Sequence, residues 1–79
     1  MSVEEKRSYI RKLEYDNDLD PEAIDAEICA NIDAEDDPAE LGEWAEVLWD
    51  RCADMRDINA VYGDAAEKAE HRAAWLMDE

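Results

Sequence analysis

The chain has 79 residues, enough for one domain with a thin core, because a chain this short buries only about 60% of its unfolded surface. It carries 24 Asp and Glu against 8 Lys and Arg, a net charge of −16, and such a field repels nucleic acid and anionic membranes while attracting basic surfaces. No run approaches the roughly 18 apolar residues of a membrane span, the charged first stretch lacks the apolar centre of a secretory signal, and 47% hydrophobic residues argue against disorder.

The charge is uneven. Lys6, Arg7, Arg11 and Lys12 face only Glu4 and Glu5 in the first twelve residues, a net of +2. The other 67 residues hold 22 acids and four cations, a net of −18. Phe is absent, so three Trp carry much of the packing. Homodimerisation is one way for so small a chain to gain buried area. Two cysteines, Cys29 and Cys52, are too few for a disulfide framework and read as reduced core residues of a cytoplasmic protein.

The punctuation is helical throughout. Ser2-Val3-Glu4-Glu5 fits a capping box, and Val3, Ile10 and Leu13 follow at helical spacing, which predicts a first helix over about 3–15. Asp20-Pro21 is an N-cap followed by the proline favoured at the first helical position, with Leu19 and Ile24 spaced as a hydrophobic staple. Ile24, Ile28 and Ile32 mark one buried face, which predicts a second helix over 21–32.

Asp37-Pro38-Ala39-Glu40 repeats that grammar. Leu41, Trp44, Ala45, Leu48, Cys52, Met55, Ile58 and Tyr62 form a stripe that predicts a long third helix over 38–62, ended by Gly63. Asp64 and Glu67 then fit a capping box for a last helix over 65–77, with Ala66, Ala69, Ala73, Leu76 and Met77 inward. No strand pattern occurs. The expectation is a small all-α domain of four helices spanning residues 1–79.

Residues 16–27, DNDLDPEAIDAE, carry the acidic skeleton of an EF-hand calcium loop. The match fails at the sixth position, where the loop needs Gly and this chain has Pro21 with its fixed φ. A cap accounts for Leu19, Asp20 and Pro21 together. No metal site or cofactor is therefore expected.

Around the third helix, Glu43, Glu46, Asp50, Asp54 and Asp57 fall within about 40° of the direction opposite the core. They span about 21 Å, over which one DNA strand presents about six phosphates. Like charges at this spacing cost a helix about 0.2–0.5 kcal/mol per pair, so stability alone does not explain them. Glu22, Asp25, Glu27, Glu35, Asp36 and Asp37 add to the surface, and Trp49 at the edge of the core stripe, or Trp75 near the C-terminus, is the candidate anchor for a partner.

In size, charge and helical acidic stripe the chain resembles the small acidic inhibitors by which bacteriophages block CRISPR effectors or restriction enzymes as DNA mimics. No signature motif carries the resemblance. It implies a phage protein acting in the host cytoplasm as an inhibitor, through a protein–protein interaction with a basic nucleic-acid-binding protein or complex, and touching neither nucleic acid nor membrane directly. The alternative is a salt-adapted or regulatory helical module, an antitoxin or adaptor, without DNA mimicry. Enzyme activity is not expected: His71 is the sole His, no nucleophile is placed to pair with it, and there is no Gly-rich phosphate loop.

Overall fold

The computed structural model describes residues 2–54 and 59–78. Among them the chain forms four helices and no strand: α1 (Val3–Asp16), α2 (Pro21–Ala34), α3 (Pro38–Asp54) and α4 (Asn59–Met77). The protein is a small all-α four-helix domain.

The predicted caps set the helix starts. The Ser2 hydroxyl accepts from the Glu5 amide and the Glu5 carboxylate accepts from the Ser2 amide, both at 3.2 Å. That amide bond also holds the Glu5 carboxyl below its ordinary pKa. The Asp20 carboxylate accepts from the Glu22 amide at 3.2 Å, and that of Asp37 accepts from the Ala39 amide at 2.9 Å. These bonds satisfy first-turn amides that have no helical partner.

The end of α1 was not foreseen. Asp18 and Leu19 both take left-handed conformations, with φ of 50° and 59°. The Leu19 amide donates to the Glu14 carbonyl at 2.9 Å and the Asp18 amide to that of Tyr15 at 3.4 Å. This is a Schellman motif with Asp where Gly is usual. Leu19 remains 49% exposed while its backbone amide closes α1.

The predicted third helix needs correction. α3 is described only to Asp54, and Asn59 to Tyr62 belong to α4. Gly63 does not end a helix, and Asp64 does not cap one; both lie inside α4, and no glycine has a positive φ. A Cβ at Gly63 would meet Cys52 Sγ and Trp49 Cζ3 at 3.7 Å, so this residue lies where α4 packs onto α3. Ala65, Ala66 and Ala69 are buried along the same helix. Packing of this small-residue seam outweighs the roughly 1 kcal/mol propensity cost of one helical Gly. Met55 and Ile58, expected in the core, lie outside the described residues. Met77, expected inward, is exposed, whereas Leu76 is half-buried.

The body measures 39 × 21 × 19 Å. Lys6 meets Glu40 and Glu43 while Glu14 meets Arg51, so α1 and α3 run in the same direction. Cys52 against Gly63 and Trp49 with Glu70 show α4 returning antiparallel to α3, and α2 runs beside α4 through Asp33–Lys68, with Asp36–Arg72 in the loop that follows. The core joins Ile10 and Leu13, the three isoleucines of α2, Leu41, Trp44, Val47 and Leu48 of α3, and Tyr62 with the α4 alanines.

Two polar clusters fix α1 to this core. Lys6 is fully buried, lies 2.5 Å from Glu40 and 3.5 Å from Glu43, and stands 5.5 Å from the centre of the Trp44 ring. Its bond holds the Glu40 carboxyl below its ordinary pKa. Tyr9 packs edge-on against the same Trp44 with ring centroids 6.0 Å apart, and its hydroxyl accepts from Asn31 of α2. At the other end of α1, the buried Glu14 carboxylate accepts two bonds from Arg51, at 2.8 and 2.5 Å, and one from the Tyr62 hydroxyl. Burial pushes the Glu14 carboxyl up, but the bonds from Arg51 and Tyr62 outweigh it and the net pKa is lowered. Burial, reinforced by the neighbouring carboxylate, pushes the Tyr62 hydroxyl well above its ordinary value.

Removing one partner from a buried charged cluster leaves the others desolvated. Glu14→Ala is expected to cost about 3 kcal/mol in denaturant unfolding. A lowered carboxyl pKa stabilises the fold fully above the unfolded value of 4.5 and loses that contribution as pH falls through the folded value. The stability gap between the parent and Glu14→Gln should therefore narrow below pH 4.5. Asp18→Gly, which relieves a left-handed residue, should raise stability by about 1 kcal/mol.

Candidate functional site

A run of 38 residues, 13–50, contains 15 Asp and Glu and no Lys, Arg or His. It spans the end of α1, the whole of α2, the following loop and most of α3. Cations reach this run only from elsewhere, and the structure shows where. Lys6 engages Glu40 and Glu43, Arg7 engages Asp50 at 2.7 Å, and Arg51 engages Glu14. From α4, Lys68 reaches Asp33 at 3.0 Å and Arg72 reaches Asp36 at 3.1 Å. Five of the seven described cations are thus spent inside the molecule.

The predicted stripe is divided by this arrangement. Glu43 and Asp50 lie at the α1–α3 seam and meet α1 cations. Glu46 and Asp54 are exposed, and no cation among the described residues is within ion-pair distance of either. Asp50 and Asp54 share a small cleft with Arg7, Arg11 and Arg51, so opposite charge stands beside that part of the line. Asp57 lies outside the described residues. Arg51 bonds Glu14 of another helix rather than Asp54 three residues on, because the buried carboxylate offers two aligned acceptors.

Asp36 and Asp37 sit in the α2–α3 loop. Asp36 stays 87% exposed despite its contact with Arg72, whose Nε also donates to the Glu35 carbonyl. Asp37 is occupied in capping α3. Trp49 is 39% exposed, donates its indole N–H to Glu70 at 3.1 Å and lies against the Gly63 position. It belongs to the α3–α4 contact more than to open surface. Tyr15 and Trp75, at 85% and 57%, are far more exposed.

The most uniformly acidic surface is instead the α1–α2 turn with the first half of α2. Asp16, Asp18, Asp20, Glu22, Asp25 and Glu27 lie there within twelve residues. Among the described residues no cation is within ion-pair distance of any of them. Asp25 accepts a long thiol contact from Cys29, whose pKa is pushed up first by burial and then by that carboxylate. The signal for this surface was already present as the cation-free run, but helix periodicity directed attention to α3.

Nothing in the turn gathers these carboxylates around a centre. Among the described residues no group of three or more His, Cys, Asp or Glu side chains converges as a metal ion requires. His71 lines an open groove on α4 with Asp33, Asp64, Glu67, Lys68, Arg72 and Trp75. Calcium titration is expected to change stability only through general screening; a saturable one-site calorimetric signal abolished by Asp18→Ala would contradict the capping role of this turn.

Comparison with known protein families, with characterised proteins and with solved structures finds no match to this chain.

Proposed function

We propose that this protein binds the basic nucleic-acid-binding surface of another protein and blocks it by presenting a DNA-like density of negative charge. The class it resembles directs this reading to host defence complexes, CRISPR effectors or restriction enzymes. The observation that carries it is the cation-free acidic run, folded on a narrow body. Duplex DNA carries about 23 charges over 39 Å, and this protein carries a net −16 on a body of that length. Its charge density is about two thirds that of the duplex.

The internal use of cations strengthens the effect on one side. Lys6 and Arg7 of α1 pair with α3, Arg11 lines the α1–α3 cleft, and α4 cations reach only Asp33 and Asp36 of the run. No cation among the described residues pairs with the turn or the first half of α2. An acidic surface of this kind steers association with a basic groove and makes it steeply salt-dependent.

The experiment is competition against DNA for a purified DNA-binding effector, with two charge-removal variants. One carries Asp16→Asn, Glu22→Gln and Glu27→Gln. The other carries Glu43→Gln, Glu46→Gln, Asp50→Asn, Asp54→Asn and Asp57→Asn. Both should slow association and flatten its salt dependence, the first more per charge removed because no cation among the described residues is within ion-pair distance of its carboxylates. Inhibition undiminished in both would rule out charge mimicry. The isolated protein should be folded in dilute buffer and gain stability from low to moderate salt. Folding only in molar salt would favour salt adaptation instead.

A further inference from the structure

The most exposed aromatic side chain among the described residues lies inside the most acidic surface. Tyr15 and Leu19, 85% and 49% exposed, line one shallow groove with Glu14 and Asp18. The Schellman turn fixes their relative placement, since the Leu19 amide is tied back to Glu14 one residue before Tyr15. Glu14 itself is committed to Arg51 and Tyr62. Asp18 lines the groove, Asp16 and Glu22 are exposed close to it in sequence, and Asp20 is engaged in capping α2. The nearest cations in sequence serve other openings: Arg11 lines the α1–α3 cleft, and Lys12 lines a groove with Glu4, Glu5, Ser8 and Tyr9.

We infer that the Tyr15–Leu19 groove docks an arginine side chain of the partner, with the guanidinium against the Tyr15 ring and its methylene stem against Leu19. The inference rests on the proposed function and names a contact within it. Three arguments select this occupant. A second copy of the chain would bring two strongly negative surfaces together, and a nucleic acid would do the same. An apolar partner segment would leave the Asp18 carboxylate of the groove, and the exposed Asp16 and Glu22 near it in sequence, without a counter-charge. A cation satisfies both ring and rim, since aromatic faces attract cations and the carboxylates accept the remaining N–H groups.

Arginine suits the groove better than lysine. Its guanidinium is planar, stacks on aromatic rings and is more weakly hydrated, so it gives up less water on binding. Tyr is also a favoured anchor at interfaces, because it offers large contact area with few rotatable bonds.

The test uses nona-arginine and nona-lysine peptides of equal charge, titrated at fixed moderate salt into the parent and into Tyr15→Leu and Leu19→Ala. Circular dichroism checks that the variants stay folded, as expected for such exposed positions. Calorimetry should show the arginine peptide binding about three- to fivefold more tightly to the parent, the size of one exposed cation–π contact. Tyr15→Leu should abolish that preference and leave the lysine peptide unchanged, and backbone amide shifts should centre on residues 15–20. Equal affinity for the two peptides in the parent, or a preference that survives Tyr15→Leu, would overturn the docking site while leaving charge mimicry intact. If neither peptide bound, both readings would fall together.

Discussion

Everything else in this molecule is arranged around the way α1 is fastened to α3. One helix carries half of the cations in the chain, and its neighbour carries a line of acids. Lys6 is driven to full burial between Glu40, Glu43 and the Trp44 ring. About two turns further along, Glu14 is held by Arg51 and Tyr62. Between them, Arg7 adds a more exposed pair with Asp50. Buried ionic groups of this kind contribute little net stability compared with apolar packing, but they make any other placement of α1 costly, because each misplacement strands a desolvated charge. A thin core thereby acquires one defined helix arrangement.

That fastening has an electrostatic consequence on the far side. Cations engaged at the α1–α3 seam are not available to α2. The α4 cations reach it only at its carboxyl-terminal end, through Asp33 and Asp36. Among the described residues no cation pairs with the carboxylates of the α1–α2 turn and the start of α2. Repulsion there lowers the stability of the isolated fold, and an opposite charge brought by a partner relieves it. The neutralised seam and the bare turn are thus two results of one allocation of scarce cations.

The Tyr62 hydroxyl extends the same constraint to α4. Its bond to Glu14 ties the beginning of α4 to the end of α1, across helices that otherwise touch little. Tyr62 sits on α4, not on a third helix running over 38–62, and Gly63 beside it falls inside α4. The local signals at Gly63 and Asp64 were genuine cap chemistry. They were overridden because the buried Tyr62 and the alanine seam gain more from a continuous helix there than a cap would supply.

What the sequence determined by itself was local or summed. Caps at Ser2, Asp20 and Asp37 and the isoleucine stripe of α2 depend on contacts within a few residues, so spacing alone reveals them. The net charge and the cation-free run from 13 to 50 are likewise plain in the sequence. Tertiary structure alone decided which acids remain bare. Glu43 and Asp50 read as outward on a helical wheel, yet Lys6 and Arg7 come to them from about forty residues away in sequence. The burial of Lys6 and Glu14, the pairing of Arg51 with Glu14, and the exposure of Tyr15 were hidden for the same reason. Each depends on which helix faces which, and periodicity gives the buried face of a helix without saying what lies against it.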